Sequence, residues 1–214
     1  MNYLEILKEI IEKSYSIILS QISKGRIIID NEASFQLQFS YILKVIGELH
    51  QLSQDDLFSI RLETPFLSEF ELAKSKSKKA KIDITLTMEN RLQAESKVSC
   101  AIELKYFHKT NQREPNNRYD CFNDLLNLEE YVHSNQYNFG VFIVGTDHLH
   151  YVNQISYSAN TQDFDMRDGK TYKAGSRLEY KTVNPYGPTI QLKNDYAFNW
   201  DSINEKYFLK LLIE

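Results

Sequence analysis

Cysteine is nearly absent from this chain: Cys100 and Cys121 are the only two in 214 residues. No zinc-ligand spacing can be built from them alone, and they read as reduced core residues of a cytoplasmic protein. Proline and glycine are also scarce, at 4 and 7 residues. They fall mostly at punctuation points, so neither an interdomain linker nor an internal repeat stands out. No apolar run approaches the roughly 18–20 residues of a spanning helix. Lys8, Glu9, Glu12 and Lys13 interrupt the N-terminal stretch, and there is no basic leader with a cleavage site. Excess basic charge is lacking too. A net charge of −4 and a pI near 5.8 exclude a surface that is basic throughout, while leaving room for a local patch. Nothing matches a Walker loop or a dinucleotide-binding glycine fingerprint. FDMRDGKTY lacks the acidic series of an EF-hand, and its Asp168-Gly169 reads as a β-hairpin turn.

What is present is apolar and aromatic. At 42% hydrophobic residues the chain folds, and its length suits one full core. Its 14 Tyr and 12 Phe exceed what such a core usually needs, so some Tyr are expected to line a surface groove. Leu4, Leu7, Ile11, Ile18 and Ile22 recur at helical spacing, and Gly25 ends that helix. Asp30-Asn31 are good N-cap residues for a second helix over 32–50, with Phe35, Phe39, Leu43 and Ile46 on its buried stripe. Strands are expected over 57–66 and 81–88, with a lysine-rich loop between them. In the second strand Ile82, Ile84, Leu86 and Met88 alternate with Lys81, Asp83, Thr85 and Thr87.

The polar connection 89–97 is too short for a crossover helix, so the strand after it returns antiparallel. A loop over 111–117 leads to a helix over 118–133, with Cys121, Leu125, Leu128 and Val132 on one face. NFGVFIVGT, residues 138–146, is a continuous apolar strand of the kind buried on both sides. A strand-and-loop tail rich in Tyr, Asn and Thr follows, then a short helix or turn and a last apolar strand. The expected fold is an α/β sandwich: a mixed central sheet flanked by helices, in one domain over 1–214. Residues 1–30 form a helical extension, 31–150 the core and 151–214 a β-rich extension.

AIELKYFHK, residues 101–109, carries an acid and a base two residues apart in an apolar strand. Glu103 and Lys105 therefore share one face, and Ile102, Leu104 and Tyr106 the other. A weak intra-strand ion pair is the ordinary reading. Asp83, however, sits in the preceding antiparallel strand as a potential neighbour of Glu103. Two carboxylates that close repel unless a cation lies between them. Carboxylates, waters and phosphate oxygens suit Mg²⁺, and an ammonium beside them can stabilise charge on a pentacovalent phosphorus.

Asp83, about twenty residues, then Glu103-Leu104-Lys105, resembles the PD-(D/E)xK nuclease superfamily, the restriction-endonuclease-like fold. Its core of helix, three antiparallel strands, helix and further strand parallels residues 32–146. No Pro precedes Asp83, a departure from the motif. FGVFIVGTDHLHY, IQLKNDYAFNW and YFLKLLIE resemble a bacterial group of nuclease-like proteins. The resemblance implies a nuclease that hydrolyses phosphodiester bonds in nucleic acid, DNA rather than RNA, in bacterial defence or mobile-element biology. It implies Mg²⁺, with Mn²⁺ as substitute, held by Asp83, Glu103 and the Leu104 carbonyl. Lys105 would position or activate water, and Glu32, the first-helix acid, would assist. Gln36 lies one turn on from Glu32, on the same face.

Lys78, Lys79 and Lys81 belong to KSKSKKAK, five lysines in eight residues. With Gln36 and Arg118 they are the candidate nucleic-acid contacts, although a charge run is ordinarily a solvated loop. His108, Lys109 and Arg113 add basic side chains after the third motif. Glu32 equally reads as a favourable first-turn acid. His148 and His150 read as an exposed strand terminus before a metal pair, and Asp124 and Glu129 as solvated helix residues that could at most support the site from behind its ligands. Cutting both strands of a duplex would suit a homodimer, and no membrane association is expected. Two rival readings remain. One is an inactive module of the same fold that binds nucleic acid or organises a protein assembly. The other is a scaffold with an aromatic groove near Tyr186 to Trp200.

Overall fold

Asn2 starts the first helix, α1 (Tyr3–Ser23), by accepting the Leu4 and Glu5 backbone N–H groups on its side chain. Gly25, at φ +67°, turns the chain out of it. Asn31 caps α2 (Glu32–Glu48) in a reciprocal capping box with Ser34. The computed structural model describes residues 2–72 and 77–214, with side chains for all except 67–72, 77–79, 94 and 95.

Three strands follow as an antiparallel meander: β1 (Asp56–Leu72), β2 (Ser77–Asn90) and β3 (Gln93–Phe107). Helix α3 (Glu114–His133) crosses over to β4 (Phe139–Thr146), which runs parallel to β3. A short helix, α4 (His150–Asn153), opens a largely irregular segment. That segment holds two small ladders, β5 (Thr171–Tyr172) with β8 (Tyr196–Ala197) and β6 (Arg177–Leu178) with β7 (Ile190–Gln191). The hairpin of β9 (Trp200–Ile203) and β10 (Lys206–Ile213) returns to the main sheet, whose order is β1-β2-β3-β4-β10-β9.

The sheet separates two cores. On one face, α1 and α2 pack Leu7, Ile10, Ile18, Phe35 and Phe39 against Ile84, Leu86, Ile102, Leu104 and Ile143. On the other, α3 and the C-terminal segment pack Phe122, Leu125, Tyr131, Phe164 and Phe198 against Ala101, Phe107, Phe142 and Val144. Every residue of β4 is buried, because successive side chains enter opposite cores. Among the described residues no helix is long and apolar enough to cross a membrane.

Several local expectations are corrected. Strands β1 and β2 extend beyond 57–66 and 81–88 and pair up to Leu72↔Ser77, so backbone ladder occupies part of the expected lysine loop. Helix α3 begins one turn early, at Glu114, with Pro115 in its first turn where a missing N–H costs nothing. Of the expected helix or turn before the last strand, the turn is what forms: Asn204 and Glu205, both at positive φ, join β9 to β10 in a hairpin. Asp168-Gly169 does not close a local hairpin, since β5 pairs with the distant β8. His150 starts α4 instead of ending a strand.

Five tyrosines, Tyr119, Tyr131, Tyr151, Tyr172 and Tyr196, enter the α3-side core. Each hydroxyl reaches a polar partner there, which makes a bulky residue with one polar end suitable for an interior containing irregular backbone.

Candidate active site

The β2–β3 ladder runs from Met88↔Val98 to Ile84↔Ile102 and stops there. At the same level β1 is irregular: Glu63, at φ 51°, and Asp83 drop out between the Leu62↔Ile84 and Thr64↔Ile82 pairs. A non-glycine residue in the left-handed region costs about 1–2 kcal/mol, so surrounding contacts must hold it. Gln36 on α2 supplies two of them. Its amide donates to the Asp83 carbonyl at 2.7 Å and to Glu63 Oε1 at 3.2 Å. The disturbance moves Ile82 into the α3-side core, while Ile84, Leu86 and Met88 stay in the other. Strict alternation along β2 therefore fails at Asp83. Its carboxylate instead takes the place of a ladder partner, with Oδ2 accepting the Leu104 N–H at 2.7 Å.

Glu103 and Lys105 project from β3 toward α3, as their spacing requires, but that face is not half exposed. Glu103 is completely buried, with the Tyr131 hydroxyl 3.5 Å from its Oε1. The Lys105 ammonium lies 3.1 Å from Asp124 Oδ2 and 3.6 Å from Glu32 Oε1, and donates to the Leu104 carbonyl at 3.1 Å. Burial presses the Lys105 pKa down. The carboxylates of Asp124, Glu32, Asp83 and Glu103 outweigh it and raise the pKa well above the ordinary lysine value. Lys105 is thus a fixed cation at the centre of four acids. The Tyr131 phenol is pushed up by burial first, then by Glu103, Asp124 and Asp83.

The structure brings Glu32, Asp83, Glu103, Leu104 and Lys105 together, and it adds Asp124. Sequence reading placed Asp124 on a solvated helix face, yet it is buried and is the nearest acid to Lys105. Its position three residues after Cys121 and one before Leu125, both core-facing, was the available signal. Glu129 is likewise buried. Its Oε1 accepts from the Lys193 and Asn194 N–H groups and the Tyr196 hydroxyl, each at 2.8 Å, and so ties α3 to the C-terminal segment.

Arg118 is a correction of substance. Its guanidinium is buried, donates to Thr161 O, Phe164 O and Thr161 Oγ1, and stacks 3.6 Å from the centre of the Tyr157 ring. It organises the 157–164 segment, and these contacts engage its guanidinium. Gln36 is engaged within the β1–β2 kink. Lys81 is exposed, 3.7 Å from Glu63; the Lys78 and Lys79 side chains lie outside the described residues. His148 pairs with Glu114 at 3.1 Å. Tyr196 and Phe198 are buried and the Trp200 indole donates to Met166 O, so these three fill a core, whereas Tyr186 at the start of that stretch is 41% exposed.

Three oxygen donors at the strand divergence, the Asp83 and Glu103 carboxylates and the Leu104 carbonyl, match in kind what a hard divalent cation accepts. Among the described residues no group of three or more His, Cys, Asp or Glu side chains is arranged as a metal site. Any such ion would therefore rely on the carbonyl, water and a ligand to complete its shell. Comparison with protein-family models, with curated proteins and with solved structures returns no match to this chain.

Proposed function

We propose that this protein is a divalent-metal-dependent nuclease of restriction-endonuclease-like fold that hydrolyses phosphodiester bonds in nucleic acid, DNA rather than RNA. One observation carries the reading: Asp83 and Glu103-Leu104-Lys105 meet where β2 leaves β3, with the Lys105 ammonium between acids from both strands and both flanking helices. The order of helix, three antiparallel strands, helix and parallel strand supports it. Asp83, Glu103 and the Leu104 carbonyl would hold Mg²⁺ or Mn²⁺. When bound, such an ion polarises the phosphate and lowers the pKa of its water.

The carboxylates of Asp124, Glu32, Asp83 and Glu103 favour the charged form of Lys105. It offers a fixed positive charge to the attacking oxygen or to the phosphorane. Asp83 is held by the Leu104 N–H, and Gln36 fixes the backbone at Asp83. Glu32, half exposed at the start of α2, is the acid best placed to meet water or ligand. The test is plasmid DNA with Mg²⁺, with and without chelator, beside Asp83→Ala. Cleavage that survives chelator or substitution removes this mechanism. The tight Lys105–Asp124 pair favours a second reading, the same fold retained for binding without turnover. DNA retention in Mg²⁺ and in Mn²⁺ with no product would select it.

A further inference from the structure

Helix α2 buries Phe35, Phe39, Ile42 and Leu43 on the sheet side. Its outer side ought then to be polar. Instead Leu37, Tyr41 and Val45 recur every fourth residue, and Leu49 and Leu52 continue the row past the helix end. Leu37, Tyr41, Leu49 and Leu52 are 63–70% exposed and Val45 is 41% exposed. Two charged side chains border this row, Lys44 and Glu48, and they pair with each other at 2.5 Å. A single exposed leucine needs no explanation, but a contiguous helix-length stripe does.

We infer that this face of α2 is a two-fold interface with a second copy of the same chain. The spacing is self-complementary. With an antiparallel crossing centred on Leu43, Leu37 of one copy meets Leu49 of the other, and Tyr41 meets Val45. The same operation sets Gln38 against Glu48, an amide donor opposite a carboxylate. The five side chains, 41–70% exposed, together with the rim residues Gln38, Lys44 and Glu48, supply area toward the roughly 800 Å² per partner of a standard interface. Tyr41, near the centre and flanked by aliphatic side chains, is the anchor such an interface uses.

The test is sedimentation velocity of the full chain over a concentration series, independent of any enzymatic assay. Wild type is expected to show a concentration-dependent dimer. Leu37→Glu and Tyr41→Glu each place a charge on both sides of the contact, and should weaken dimerisation by about 100-fold or more. Leu92→Glu, at an exposed leucine in the β2–β3 turn, should leave the dimer intact. Far-UV circular dichroism checks that each variant is folded, and Leu37→Asn replaces any variant that is not. A wild-type chain that stays monomeric at high concentration overturns the inference, as does a dimer unaffected by both stripe substitutions.

Discussion

Replacing Lys105 by Met removes the cation at the centre of four carboxylates and keeps most of the side-chain volume. At an effective dielectric near 20, the contact with Asp124 at 3.1 Å corresponds to about 5 kcal/mol of Coulomb attraction before desolvation. The Glu32 contact at 3.6 Å counts for less because Glu32 is half exposed. Removing one partner of a buried pair typically costs about 3–5 kcal/mol, and that loss of unfolding free energy is expected for Lys105→Met at pH 7. The deficit should depend on pH. Without the ammonium, Asp124 and Glu103 stay buried beside other acids with no counter-charge. Crowded buried carboxylates are relieved by taking up protons, so the deficit narrows on acidification. The variant should therefore approach wild type as pH falls toward about 4. Urea unfolding followed by the fluorescence of Trp200, the only tryptophan, reads both effects. A variant within 1 kcal/mol of wild type at pH 7, or a deficit unchanged between pH 7 and 4, would refute the reasoning.

Arg118→Ala should destabilise by about 3–5 kcal/mol, because it strands two buried carbonyls and leaves the Tyr157 ring without its cation. Hydrogen exchange should localise the loosening to residues 157–166. His108 joins the Asp147 carboxylate to the Asp30 carbonyl, and the Asp30 bond first, then Asp147, raise its pKa. That contribution is fully present below the unfolded value near 6.5 and is lost as pH rises through the folded value. The stability gap between wild type and His108→Gln should therefore be wider at pH 6 than at pH 9, by thermal melts at both. Gly145→Ala sets a Cβ 2.8 Å from the Phe208 and Tyr106 rings across β4, and should cost about 1–3 kcal/mol by urea titration.

The regular elements were legible because their signals are local. The Asn31 cap, the α2 core stripe and the unbroken apolar run of β4 each state their own structure. The shared side of Glu103 and Lys105 followed from strand parity alone. What covers that side did not, because the fit of α3 over β3 is a tertiary fact; hence Asp124 and Glu129 looked solvated. Asp83 was reached by pattern, but its orientation depends on the Glu63 kink, where a non-glycine residue at positive φ leaves no mark in sequence. Arg118 misled for a related reason. A basic residue near a basic run reads as surface charge until the segment it holds, some forty residues later, is in place. The C-terminal segment was least readable because its side chains fold around α3 with little ladder of their own.

The central claim is that the gap between β2 and β3 receives a hard divalent cation. Anomalous diffraction from crystals soaked in Mn²⁺ tests it most directly. The account predicts a peak bridging the Asp83 and Glu103 carboxylates, about 2.0–2.3 Å from their oxygens, beside the Leu104 carbonyl. Density that leaves this gap empty, with Lys105 still held by Asp124 and Leu104, would contradict it.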